Sequence, residues 1–258
     1  MEHSAQIIDR LKRLRHAFFL GTVYSFFLCV MSMIHFLSGL FLSSLDEAAL
    51  TAVLTHPFTS SLTMLLSCAY FIFSCLFLYV LYLFFRSAKV MGTWSDLAAR
   101  SMLSLRILGI FAHGICIAFA ILFPVFPALD QLALHYFANS CFFIGKLLSC
   151  ALLFFLFLSA RKLRASTALF CVKFSIFLFL CPYIFQLIRF AAHNTGSLFL
   201  SELDILTQHP NLALFMTSAK SIPLCITFFL LYRAAVPEQL FLSEDGPEMK
   251  NLLSETGC

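Results

Sequence analysis

Apolar residues gather into six charge-poor runs, at Ala17–Leu42, Phe58–Phe85, Ile107–Leu129, Leu132–Ala160, Thr167–Ile188 and Leu212–Tyr232, and none of them contains Asp or Glu. A hydrocarbon core about 30 Å thick needs roughly 20 apolar residues of helix to cross it, and every run reaches that length. The strands of a membrane barrel would alternate apolar and polar side chains, whereas Phe71–Val80 is apolar on every side. Helices are then the way to satisfy the backbone in lipid. The pattern predicts an all-α integral membrane protein, a six-transmembrane-helix bundle. A basic N-terminus (1–16) precedes a single membrane domain (17–235), and an acidic tail (236–258) follows it.

Charge adds orientation. Arg10, Lys12, Arg13 and Arg15 precede the first run; Arg86, Lys89, Arg100 and Arg106 separate the second from the third; Arg161, Lys162 and Arg164 separate the fourth from the fifth; and Arg233 and Lys250 follow the sixth. The alternate connections hold only Arg189. The positive-inside rule places both termini in the cytoplasm. The net charge of +4 is therefore read as topology, not as a nucleic-acid footprint. The composition, 61% hydrophobic and 12% charged, lies outside the range of soluble domains and makes the lipid bilayer the first partner. Homo- or hetero-oligomers both remain compatible with it.

The first run is too long for a signal-peptide core and lacks a small-x-small cleavage site, so it reads as a retained anchor. Of ten cysteines, all but Cys258 fall inside or at the edges of the runs and no C-x-x-C occurs, which points to buried thiols, not to a disulfide framework or a zinc site. Thr93-Trp94-Ser95-Asp96 has the form of a helix start, with the single Trp at an interface position.

The outward connections share a pattern. Arg15–Asp46 aligns without gaps on Lys173–Asp204, with identities at Phe19/Phe177, His35/His193 and the closing Phe41-Leu-Ser-x-Leu-Asp46 and Phe199-Leu-Ser-x-Leu-Asp204. Leu129-Asp130 precedes His135 as Leu203-Asp204 precedes His209, and Lys146 and Lys220 lie at equal distances beyond those histidines. Self-similarity of this kind suggests three repeated two-helix hairpins with short amphipathic helices on the outer face. Ser44 and Glu47 form a capping box for the first of those helices, and the pairs His56-Pro57 and His209-Pro210 end two of them. Caps and breakers account for most of the loop pattern. A catalytic role for Asp46, Asp130, Asp204, His135 and His209 is the sharper alternative.

Lys146 and Lys220 lie deep in their runs, where a lysine costs several kcal/mol unless it is hydrated, paired or snorkelling. An anionic solute or a lipid headgroup is a fitting partner, with Asp130, Asp204, His135 and His209 at the outer mouth of the same cavity. The histidines at 35, 113 and 193 do not supply the two stacked ligand pairs of a b-type cytochrome, so haem is not expected. No cofactor or metal is expected, and no G-x-S-x-G, H-E-x-x-H, P-loop or GxGxxG is present. Pro182 and Pro223 fall inside runs, where each frees a backbone carbonyl.

Ile107-Leu-Gly-Ile, Phe123-Pro-Val-Phe-Pro127, Leu134-His135 and Phe142-Phe143 resemble the corresponding spans of the six-pass damage-regulated autophagy modulators. That resemblance implies cytoplasmic termini and brings no catalytic motif. Three functions follow. The favoured one is a small transporter or channel-like component that binds an anionic solute or lipid headgroup in an intramembrane cavity. The alternative is a non-catalytic scaffold or lipid-organising protein, and the third is a membrane-embedded enzyme using the outer Asp and His residues.

Overall fold

The computed structural model describes residues 2–44, 53, 56–122, 131–193 and 210–236, and among them every regular element is helical. Six long helices occur in chain order: α1 (Glu2–Ser43), α2 (Pro57–Ser87), α3 (Thr93–Leu122), α4 (Gln131–Lys162), α5 (Ser166–His193) and α6 (Pro210–Ala234). Within the described residues, Gln6–Phe41, Ile72–Met91 and Phe143–Lys162 are long and apolar enough to cross a membrane, and Ser166–Cys181 is a shorter apolar helix. The amphipathic helices expected on the outer face fall almost wholly outside the described residues.

Local chemistry explains where the helices begin and end. Pro57 and Pro210 are the first residues of α2 and α6. Proline suits that position because its missing N–H would have no partner in the helix. Each proline thus opens the helix that follows it. Ser44 turns its hydroxyl back onto the Phe41 carbonyl at 2.7 Å, helping to close α1. A 3-10 turn over Ala88–Met91 follows α2 and stops at Gly92, whose φ of 109° and ψ of 171° suit glycine. The Gly92 carbonyl accepts from the Asp96 N–H at 3.1 Å, so Gly92 stands one residue before the helix, and Thr93 is the first residue inside it. Asp96 sits in the first turn, where the helix dipole favours a carboxylate, and pairs with Arg100 at 2.8 Å.

Hydroxyls inside the helices bond back to their own backbone. Thr22 donates to Phe18 O at 2.9 Å, Ser25 to Gly21 O at 2.7 Å, Ser87 to Leu83 O at 2.6 Å and Thr227 to Pro223 O at 2.7 Å. Such bonds let polar side chains lie in an apolar bundle without orphaned donors.

The chain divides into two compact units. The first comprises Met1–Ala17, Leu78–Arg164 and Ala234–Cys258. Its core draws Leu11, Leu14 and Ala17 from α1, Val80, Leu81 and Phe84 from α2, Ala99 and Met102 from α3, and Phe155, Leu156 and Ala160 from α4. The Phe84 and Phe155 rings meet at 4.7 Å. α3 packs along α4, with Gly109 beside the Ile144 methyl. A helix of 30 residues is about 45 Å long, more than the intervening residues 123–130 can span, so the two run antiparallel. The basic head is not a loose terminus: α1 is one helix of 42 residues, and the spacing of Leu11, Leu14 and Ala17 puts an apolar stripe along its third to about its fifth turn.

The second unit comprises Phe18–Phe77 and Ala165–Arg233. Stacked rings join α1 to α2, Phe27 on Phe73 at 3.6 Å and Tyr24 on Phe77 at 4.4 Å. On α1 the small residues Gly21, Ser25 and Cys29 recur every fourth position and form one stripe. Phe228 of α6, fully buried, lies so close that a Cβ on Gly21 would come within 2.6 Å of its ring. Cys225 of α6 donates its thiol to the Thr22 carbonyl at 3.8 Å. Close approach over small residues is the usual means of helix association where no hydrophobic force acts.

Two outcomes follow for thermal unfolding of the detergent-solubilised chain. Gly21→Ala drives a methyl into the Phe228 ring and should cost about 1–3 kcal/mol, with Phe228→Leu restoring part of the loss in a double-mutant cycle. Gly92→Ala should cost about 1–3 kcal/mol through its backbone angles alone, whereas Gly145→Ala, whose methyl meets nothing within 4 Å, should cost nothing or stabilise the helix.

Candidate functional site

In the first unit, α1 and the end of α2 enclose a recess of about 430 Å³, lined by Lys12, Arg13, His16, Tyr79, Tyr82, Leu83 and Arg86. Helical spacing assembles it. Lys12 and His16 are one turn apart on α1, with Arg13 beside them. Tyr79, Tyr82, Leu83 and Arg86 follow i, i+3, i+4, i+7 and share one face of α2. Leu14 on α1 and Val80, Leu81 and Phe84 on α2 are buried, so core packing holds both walls by their opposite faces.

The lining has a simple electrostatic character. Lys12, Arg13 and Arg86 bring full positive charges, His16 an imidazole, and both tyrosines hydroxyls that can donate. Leu83, 7% exposed, gives an apolar floor, while Tyr79 and Tyr82, at 48% and 44%, stand at the surface. Among the described residues no carboxylate lines the recess. Asp9 holds Arg13 from one turn earlier at 2.6 Å, with both side chains substantially exposed. Such a lining attracts anions and repels cations. Its volume lies in the range of small-molecule sites, about 300–1,000 Å³. Among the described residues no three His, Cys, Asp or Glu side chains gather as metal ligands.

Of the residues singled out from sequence, the structure describes the side chains of Lys146 and Lys220. Lys146 is half-buried in α4, fifteen residues or about 22 Å beyond its start. Lys220 is half-buried in α6, three residues before Pro223, which has no N–H to offer the Ala219 carbonyl. His135 falls in α4, and nothing is described of its side chain. Asp46, Asp130, Asp204 and His209 lie outside the described residues. Lys146 belongs to the first unit and Lys220 to the second. Neither lysine lines the recess.

Sequence reasoning assigned the recess cations to topology alone. The signal for more was Tyr79-x-x-Tyr82-Leu83-x-x-Arg86, two phenols and a guanidinium on one helical face at a membrane end. Which helix completes the site was not visible without the packing of Leu11 and Leu14.

Asp9→Asn removes the one carboxylate that holds Arg13, and should tighten binding of inorganic pyrophosphate or another small polyanion by about twofold to fivefold, as befits an exposed pair. Calorimetric titration of the solubilised chain measures it, and weaker binding would show that Asp9 serves to position Arg13. No protein-family model matches the chain, and neither the curated proteins nor the solved structures compared with it gave a match.

Proposed function

We propose that the chain is a six-span integral membrane protein with both termini in the cytoplasm, and that it works without catalysis by holding an anionic headgroup at its cytoplasmic face, as a lipid-organising or scaffold protein. The recess between α1 and α2 carries this reading. Three side chains of fixed positive charge converge there, with no carboxylate in the lining among the described residues. Its position supports the assignment. Lys12, Arg13 and His16 immediately precede the apolar run that begins at Ala17, and Arg86 immediately follows the run that ends at Phe85. Residues at those places lie at headgroup depth, where each Lys or Arg contributes about 1 kcal/mol of attraction to an anionic leaflet.

A second reading, a small transporter for an anionic solute, rests on Lys146 and Lys220. A half-buried lysine in an apolar helix calls for water, a counter-charge or a route to the interface, and the carbonyl freed by Pro223 adds a polar group next to Lys220. This reading requires flux of an anion across proteoliposomes that Lys220→Leu and Lys146→Leu abolish.

The scaffold reading has its own test. Short-chain anionic lipid should raise the unfolding temperature of the solubilised chain and zwitterionic lipid should not, because a ligand that binds only the folded state stabilises it. Lys12→Gln and Arg86→Gln should each weaken the apparent affinity about fivefold, while Lys89→Gln and Lys162→Gln leave it unchanged. Equal stabilisation by both lipid classes would remove the reading. Tags on the two termini should both be reached from the cytoplasmic side of sealed vesicles, and protection of either would overturn the topology.

A further inference from the structure

We infer that the recess selects a phosphorylated polyol, of the kind carried by inositol bisphosphate headgroups, over anionic headgroups that bear a single phosphodiester. The inference rests on the anion-binding reading above and narrows its ligand. Charge comes first. Lys12, Arg13 and Arg86 share one recess, and among the described residues only Arg13 is held by a carboxylate. A single phosphodiester matches one of these charges and leaves the rest without a partner. A phosphomonoester carries about −1.5 to −2 at neutral pH and offers three acceptor oxygens, so two of them on one ring engage the cations on both walls together.

The second observation is the pair of tyrosines. Tyr79 and Tyr82 stand on the same face of α2 as Arg86, and their exposed phenols offer hydroxyls and ring faces that a simple electrostatic patch does not need. Ring hydroxyls of a polyol donate to and accept from phenols, and its axial C–H bonds lie against an aromatic face. Serine headgroups fit this lining less well, because their ammonium group offsets their own carboxylate and leaves a single net negative charge to face Lys12, Arg13 and Arg86. The volume of about 430 Å³ accommodates a substituted six-membered ring. Guanidinium forks suit phosphate oxygens in particular, since they present paired donors at the spacing of two of them.

The same chemistry is available from a lipid headgroup or from a free inositol phosphate, and one experiment separates them. The full-length chain in detergent is titrated with short-chain phosphatidylinositol bisphosphate, phosphatidylinositol, phosphatidylserine and phosphatidylglycerol, and with the free bisphosphorylated headgroup, in competition with a fluorescent bisphosphate lipid. The bisphosphate lipid should bind at least about tenfold tighter than phosphatidylserine or phosphatidylglycerol, consistent with two further charge contacts. The paired substitution of Lys12→Gln and Arg86→Gln should remove that preference. Tyr79→Phe and Tyr82→Phe, which keep the rings, should each reduce the preference over phosphatidylglycerol by about threefold to tenfold through the lost hydrogen bond. A free headgroup that binds as tightly as the lipid assigns the recess to a soluble phosphorylated polyol; a much weaker one assigns it to the membrane lipid.

Equal binding of all anionic lipids, still sensitive to Lys12 and Arg86, would overturn the selectivity and leave an unselective anion site. Binding of the bisphosphate lipid that ignores both substitutions would overturn the site as well. Should the glutamine variants unfold, Lys12→Arg and Arg86→Lys keep the charge, and the tyrosine variants decide selectivity alone.

Discussion

The constraint behind the whole structure is that a peptide group in hydrocarbon has no water to turn to. Each N–H and C=O must find its partner within the span, which selects the helix and makes it long. The same rule governs side chains. Ser25, Ser87 and Thr227 return their hydroxyl protons to carbonyls one turn back. The proline of α6 fits this pattern, since the Pro223 carbonyl is the acceptor for Thr227. Where hydroxyls are satisfied along their own helix in this way, contacts between helices are left largely to shape. Rings stack on rings, and one glycine admits a phenylalanine.

Shape explains why the basic end differs from the spans. There α1 and α2 carry polar residues on one face and apolar residues on the other. Leu11 and Leu14 turn inward with Val80, Leu81 and Phe84, all of them buried. The opposite face of each helix is then free to be polar, and the residues on it cannot avoid one another. The recess is thus a by-product of ordinary amphipathic packing, given its chemistry by which polar residues occupy the outer positions.

Much of the helical architecture was legible in the sequence because length and charge are one-dimensional signals. Long apolar runs show up as helices, and Pro57 and Pro210 mark boundaries that the structure respects. Other parts were legible only in outline. The helix start at Thr93-Trp-Ser-Asp96 was visible, but Gly92 supplies the first accepting carbonyl, because only its backbone angles allow the chain to turn there. Lys12, Arg13 and Arg86 were visible as cations, yet a charge pattern does not say which helices are neighbours. Neighbours depend on interdigitation of side chains such as Phe84 with Phe155, and no periodicity in either helix records that. The loop Asp and His residues, prominent in the sequence, repeat at fixed spacings, but spacing between copies says nothing about convergence in space.

The glycine at position 21 has a mechanical consequence. Phe228 occupies a slot on α1 that only a hydrogen atom leaves open. Sliding α1 by one turn, about 5.4 Å, would bring Ala17 or Ser25 under the ring, and either carries the β-carbon that the slot excludes. The contact therefore acts as a detent. It sets a single axial position of α1 against α6 and resists piston-like travel between them, so a force applied along one of these two helices is borne by both.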